Sequence, residues 1–370
     1  MFIVLKYKYG GIFMRISKVL KEMEKRQLTH LIISDPSSID YLIGYNNNPG
    51  ERMFVLLLSI DGNHKLFMNN LFYLDYELDI DKVWYSDTDN YIQLLANEFK
   101  GACIVGVDKL FPAKFFIPLM DLVDEVHFEL GSQCVDLVRM IKDEKEIELM
   151  MEASKINDKV VDEVISICAK GSLTEREVSD KLSDLYQKYG CSGNSFTPIV
   201  AYGKNGADGH HDGDDSVVKP GDSIVIDIGG LYKGYCSDMT RTVFYKEVSD
   251  KQREVYNLVL KAQLAAEAMI KPGVKLCDID KCARDIIKDG GYTVEFNHRL
   301  GHFIGRDVHE WGDVSANFDL EVKEGMIFSI EPGVYLQGDF GVRIEDLVLV
   351  TKDGCKVLNS YPKDLMVIGD

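Results

Sequence analysis

Two stretches in the C-terminal half of this chain put carboxylates where a β-strand ought to be apolar. The first, SIVIDIGGLYKGYCSDMTRTVFY over 223–245, reads as two strands joined by a glycine-rich turn. Asp227 and Asp238 each interrupt its apolar runs. A turn centred on Tyr232-Lys233 would pair position 227 with position 238, and directly opposed residues share one sheet face with Cβ atoms about 4.5–5.5 Å apart. The second stretch, MIFSIEPGVYLQGDFGVRIEDLVLV over 326–350, repeats the arrangement, with Glu331 and Glu345 face to face about a turn centred on Gly338. Opposed carboxylates repel, so each pair requires something to neutralise it. One such pair could be an accident of a sheet edge. Two in mirror register point to a common cause.

The run NHRLGHFIGRDVHE over 297–310 supplies the nitrogen that the carboxylates lack, as His298, His302 and His309. A lone histidine is more often a structural residue, but five of the eight histidines fall within 210–309, beside the acidic strands. Charge counting then points to a pair of metals. Four ionised carboxylates are balanced by two divalent cations, which would strongly polarise a bridging hydroxide. Oxygen ligands with one imidazole suit manganese, cobalt, iron or zinc, and the absence of cysteine from the set argues against a structural thiolate zinc site.

A chain of 370 residues is long enough for two domains, and the pattern changes at about residue 136. Before that point, from 14 to 135, short β-rich runs such as LTHLIIS, MFVLLLS, HKLFM and CIVGVD alternate with helical patterns such as NYIQLLANEF and AKFFIPLMDLV. No catalytic constellation stands out there. After it, VDLVRMIKDEKEIELMMEASKINDKVVDEVISICAK keeps a helical period that predicts two helices, with Ile141, Ile147, Met150 and Met151 on the apolar face. Gly171 closes that run, and Thr174 with Glu177 forms a capping box for the next helix. Strands follow residue 195, with helices expected around 249–270 and 276–289.

The opening MFIVLKYKYGGIFM is greasy, but Lys6 and Lys8 interrupt it and no small-x-small cleavage site follows. Residues 1–13 are therefore treated as an N-terminal extension outside the fold, with the first helix opening at Met14. No stretch approaches the roughly 20 apolar residues of a membrane span. The eight cysteines show no CxxC pair and read as reduced thiols of a cytoplasmic protein. The net charge of −18 argues against a nucleic-acid partner, which would need a basic face.

The segments IDIGGLYKGYCSDMTRT, HRLGHFIGRDVHE, SIEPGVY and VRIED, in that order, resemble the pita-bread metallopeptidases. That family holds Xaa-Pro dipeptidases (prolidases), aminopeptidase P, methionine aminopeptidases and creatinase. The resemblance covers 136–370, and more loosely 14–135, which looks like a creatinase-like N-terminal domain. It implies an α/β fold of the α+β type, with a pita-bread catalytic domain behind a smaller α/β domain. It also implies two divalent metals per chain, manganese first and cobalt or zinc as alternatives. Asp227 would bind one metal with both oxygens, Asp238 and Glu345 would bridge the two, and His302 and Glu331 would complete the other. Glu331 would shuttle the proton, while His210, His298, His309 and Arg343 would bind substrate or stabilise the tetrahedral intermediate. The match favours His210 over His211. Two departures, Phe303 in place of a common glycine and Trp311-Gly312 after His309-Glu310, are expected to reshape the substrate pocket.

The activity implied is cleavage of the Xaa-Pro bond of dipeptides, with small proline peptides as substrates and a homodimer as the assembly. A tertiary X–Pro amide has no N–H, so a dedicated site is expected. Aminopeptidase P is the alternative within the same chemistry, though its N-terminal domain is usually larger. Methionine aminopeptidase lacks such a domain, and a metal-free creatinase-like hydrolase would have lost carboxylate ligands. The reading from another class is a catalytically inactive binding module, which the intact ligand set disfavours.

Overall fold

Short β-rich runs that are apolar on successive residues, such as VLLLS, suit a sheet covered on both faces, because alternate side chains then enter two different cores. The computed structural model describes residues 2–74, 78 and 80–369, residues 2–13 by their backbone path alone. It divides into two compact units, Met1–Arg139 and Met140–Asp370.

The first unit opens with α1 (Phe2–Lys25), so the helix expected from Met14 begins earlier and the segment set aside continues it. A six-stranded sheet follows, built from β1 (His30–Ile33), β2 (Val55–Ser59), β3 (Lys65–Asn69), β4 (Asp81–Tyr85), β5 (Cys103–Val107) and β6 (Val126–Leu130). Its order is β4-β3-β2-β1-β5-β6. The helices are α2 (Pro36–Ile43), α3 (Tyr91–Ala96), α4 (Ala113–Asp121) and α5 (Gln133–Met140). Leu31, Ile33, Leu56 and Leu58 enter one core with α1 and α2. Ile32, Val55, Leu57 and Val105 enter the other, with α3 and α4.

The second unit begins where the long helical pattern breaks. Ile141 bridges to Met326, and Asp143 then caps α6 (Glu144–Cys168) through a reciprocal bond pair with Glu146. The helix α7 (Glu175–Lys188) starts from the capping box read in the sequence, with Thr174 accepting from the Glu177 amide and Glu177 accepting from the Thr174 amide. Two similar layers of helix pair and sheet follow. In the first, β7 (Ile199–Tyr202), β8 (Ser223–Ile228) and β11 (Met239–Tyr245) pack against α6 and α7. The small hairpin of β9 (Leu231–Tyr232) and β10 (Tyr235–Cys236) joins the latter two strands. In the second, α8 (Asp250–Met269) and α9 (Leu276–Asp289) cover β12 (Gly301–Phe303), β13 (Glu310–Val314), β14 (Ile327–Ile330) and β17 (Asp346–Val350). The hairpin of β15 (Gly333–Leu336) and β16 (Phe340–Arg343) stands between β14 and β17 in the chain. β18 (Cys355–Val357) and β19 (Val367–Ile368) complete the two sheets, of order β13-β12-β14-β17-β18 and β19-β11-β8-β7.

The registers decide where the carboxylates fall. In the second hairpin Ile330 pairs with Asp346 and Gly333 with Arg343, so Glu331 and Glu345 lie level between two ladders that share the centre at Gly338. The first hairpin departs from its expected register. Asp227 pairs with Thr240, not with Asp238. The tight turn centres on Lys233 and Gly234, both at positive φ (49° and 82°), as a two-residue hairpin turn demands. That displaces the ladder by two residues. Because side chains alternate with a period of two, the shift keeps Asp238 on the face of Asp227 as its diagonal neighbour.

All eight cysteines are free thiols. Among the described residues no helix is long and apolar enough to cross a membrane.

Candidate active site

Five ligand-type side chains come from five separate places on the second unit's sheets. Asp227 sits near the end of β8, Asp238 on the step between β10 and β11, and His302 in the middle of β12. Glu331 immediately follows β14, and Glu345 lies between β16 and β17. All five open onto one cavity of about 440 Å³, and so do His210, His298, His309 and Arg343. The neighbouring imidazole does not join them: His211 pairs with the buried Glu175 at 2.7 Å.

Burial makes the carboxylates unwilling to ionise together. Asp238 is held well above the usual carboxylate range, first by burial and then by the charge of Asp227. Glu345 is raised by burial and then by Asp238, Glu331 and Asp227. Burial also pushes Glu331 up to about 7, against the opposing pull of His302. Three oxygens of this group, Asp227 Oδ1, Asp238 Oδ1 and Glu345 Oε1, are buried with no hydrogen-bond partner. A buried acceptor left unmet costs about 1–3 kcal/mol, more when charged.

The imidazole of His302 is aimed at the same place. Its Nδ1 lies 3.2 Å from the Phe303 carbonyl, and its Nε2 stands 3.5 Å from both Asp238 Oδ2 and Glu331 Oε1. Ligand atoms of Asp238, His302 and Glu345 all lie within 4.8 Å of one another. Acceptor-only oxygens converging with one ring nitrogen are a donor set for divalent cations of the hard to borderline kind. The residues present fit such a metal.

Arg343 is buried in the wall, not a solvated strand charge. Its Nη2 donates to Asp227 Oδ2 at 2.6 Å, its Nη1 to the Tyr335 hydroxyl at 2.7 Å and its Nε to Thr240 Oγ1 at 3.1 Å. Thr240 passes the connection on by donating to Glu345 Oε2 at 2.8 Å. Tyr335 also meets His298 Nε2 at 3.0 Å, so one chain of contacts ties two acidic residues to a wall histidine. His298 has its pKa lowered to about 3 by burial and then by Arg343. His309 packs its ring edge-on to His302, with centroids 4.4 Å apart. Its pKa falls to about 4, first through desolvation and then through His302 and Arg299.

The two departures expected to reshape the pocket do not line it. Phe303 is fully buried in the core against Phe328, with ring centroids 5.4 Å apart, because alternation along β12 sends it away from the side that His302 faces. Trp311 packs edge-on against Phe318. The sequence reading also passed over Thr240, Tyr335 and Ser329. Ser329 accepts from the His302 amide at 3.0 Å and donates to Glu331 Oε1 at 3.2 Å. Thr240 could have been found as the true cross-strand partner of Asp227. Tyr335 and Ser329 carry no signal of their own, since both look like ordinary strand residues.

A family model described as metallopeptidase family M24 matches residues 148–352, and one described as the creatinase/prolidase N-terminal domain matches 15–141. An uncharacterized peptidase of Staphylococcus aureus strain MRSA252 is 36% identical over 368 residues, covering 94% of this chain and 99% of that protein. Among solved structures, a prolidase from Thermococcus sibiricus superposes with a TM-score of 0.90 at 33% identity, covering 96% of this chain and 98% of that one. An X-Pro aminopeptidase from Thermotoga maritima gives 0.79 at 31% identity, covering 93% and 99%. The α/β architecture of a pita-bread domain preceded by a creatinase-like domain is the one these structures share with the chain.

Proposed function

The chain belongs to metallopeptidase family M24, and we propose that it hydrolyses the Xaa-Pro bond of dipeptides at a pair of divalent metals. The observation that carries the reading is the set of three buried, unpartnered carboxylate oxygens converging with His302 on one cavity. Asp227, Asp238, His302, Glu331 and Glu345 would hold the metals, with manganese the first choice and cobalt or zinc as substitutes. When bound there, such ions polarise the scissile carbonyl and make the attacking water more acidic.

The remaining work falls to the chain's own side chains. Glu331 takes the proton of the attacking water and passes it to the leaving proline nitrogen. Ser329 fixes the carboxylate that does this by donating to its Oε1. His210 and His309 stand in the wall as donors toward the developing oxyanion, and His298 is braced for substrate contact by Tyr335. Arg343 holds Asp227 in place from behind.

The test is hydrolysis of Ala-Pro beside Ala-Pro-Ala by chelator-treated protein reloaded with manganese or cobalt, with metal content measured per chain. Cleavage of the dipeptide alone supports the proposal. Preference for the tripeptide assigns the chain to the aminopeptidase P activity instead, a reading favoured by the likeness to the Thermotoga maritima enzyme. Failure to bind metal would leave only a binding module. A homodimer, expected by resemblance, is tested by light scattering at micromolar concentration.

A further inference from the structure

His210 stands in the cavity wall on an exposed loop, and among the described residues no hydrogen bond engages its ring. Its place is therefore set by its backbone, and a loop backbone is fixed where its polar groups find buried partners. The partner here is Glu175, the first residue of α7, which is fully buried. Its Oε1 accepts from the Tyr202 amide at 2.6 Å and from Asn205 Nδ2 at 3.0 Å. Its Oε2 accepts from His211 Nε2 at 2.7 Å and from the Asp214 amide at 3.0 Å. Two of these donors precede His210 and two follow it, so one carboxylate closes the loop from both flanks. On the cavity side the loop lies against the wall: a Cβ added at Gly209 would stand 3.6 Å from the Tyr335 ring and 3.8 Å from Arg343 Nη1. Glu175, His211 and Asp214 also bring ligand atoms within 4.8 Å of one another, as a metal site would. A carboxylate offers about four lone-pair sites, and donors occupy all of them here, so the cluster is a clasp and not a cation site.

Building on the peptidase reading above, we propose that Glu175 is a positioning residue for His210: its clasp on His211 and the flanking amides holds the His210 imidazole where the oxyanion develops. Glu175 is not part of the cavity lining, so its influence on the reaction passes through the loop. With His211 drawn to α7 and Gly209 laid on the wall, the residue between them has little freedom to leave the cavity. The effect is large enough to measure. One oxyanion donor is worth about 100- to 1,000-fold in kcat, and a displacement of about 1 Å can cost on the order of 100-fold.

The experiment measures kinetics on Ala-Pro and Ala-Pro-Ala for manganese-loaded wild type, E175Q, H211L, H211Q and H210A, each well below its melting temperature. E175Q and H211L are also combined with H210A. Alone, each should lower kcat about 10- to 100-fold on whichever peptide the wild type cuts, with KM within about threefold and manganese per chain unchanged. H211Q, whose amide donates from nearly the same place as the imidazole Nε2, should stay within about threefold of wild type. In the H210A background either change should cost less than about twofold, because the group it positions is gone. A loss of about tenfold or more that persists without His210, or a loss of bound manganese, would mean a structural role and overturn the proposal. So would wild-type kinetics in H211L, which leaves the buried carboxylate in place and serves if E175Q does not fold. Hydrogen exchange of a peptide spanning 203–216 in metal-free protein needs no substrate, and H211L should speed it at least about fivefold. If wild type cuts neither peptide, the proposed function fails; faster exchange in H211L would still support the clasp, and unchanged exchange would overturn it.

Discussion

Replacing Phe303 by alanine separates two meanings of the same position. The residue adjoins the metal-ligand histidine in sequence, so a change there could alter the substrate pocket. The structure assigns it to the core instead. The ring is fully buried, lies 5.4 Å from the Phe328 ring, and fills the space beside Gly312, where an added Cβ would come within 2.5 Å of it. The Lys142 ammonium stands 5.9 Å from the ring centroid. A phenylalanine side chain buries on the order of 150–250 Å². At about 25 cal/mol per Å² that burial stabilises the fold by roughly 4–6 kcal/mol, of which alanine keeps only the first carbon. Core Phe→Ala changes cost about 3–5 kcal/mol once partial relaxation is included, so about 4 kcal/mol is expected for F303A. Urea unfolding of chelator-treated protein measures the loss. Ala-Pro hydrolysis below the unfolding transition, corrected for the folded fraction, measures the site, and KM should stay within about threefold. The reasoning fails if F303A loses less than about 1 kcal/mol while KM moves tenfold, because the ring would then belong to the pocket.

Further outcomes follow from other contacts. His298 has a pKa lowered to about 3, by burial first and Arg343 second, against 6.5 in an unfolded chain. As pH falls through 6.5 the unfolded state takes up a proton that the native state refuses until about pH 3, so stability declines with acid by about 1.4 kcal/mol per unit. H298Q should therefore gain on wild type by about 2 kcal/mol between pH 6.5 and 5 in urea unfolding of metal-free protein; no change in the difference would rule this out. G301A should cost at least about 3 kcal/mol, since its Cβ would sit 1.9 Å from the Ser329 carbonyl oxygen, a backbone atom with nowhere to go. A melting temperature within a degree or two of wild type would contradict the close packing of β12 on β14. Manganese at about a hundred times its dissociation constant should stabilise wild-type protein by about 2.7 kcal/mol, and D238N should lose most of that rise. Equal manganese-dependent melting shifts in both proteins would remove Asp238 from the metal site.

The sequence revealed elements where a single core dictates the pattern and missed them where it does not. β1, β2, β3 and β5 were legible because each is apolar on both faces of a covered sheet. β4 and β6 form the two edges of that sheet, and DKVWY and VHFEL carry charged or exposed residues that blur any apolar run. The capping box at Thr174 was visible because its chemistry is local. The path of α1 through residues 2–13 was not, since Lys6, Lys8 and the Gly10-Gly11 pair argue against a continuous helix on propensity alone.

At the site the same distinction has a sharper form. Mirror symmetry about a presumed turn located all four carboxylates. It placed Glu331 and Glu345 level with one another because the turn at Gly338 was identified correctly. It missed the partner of Asp227 by two residues because the positive-φ pair is Lys233-Gly234. The error left the face intact, since only an odd shift would have turned Asp238 away from Asp227. What no pattern of strand residues could supply was the wall behind the carboxylates. Arg343, Tyr335 and Thr240 come from three different strands, and their connection exists only once β8, β11, β15 and β16 are assembled. Ligand type is thus written in local sequence, whereas the groups that hold the ligands are set by tertiary register.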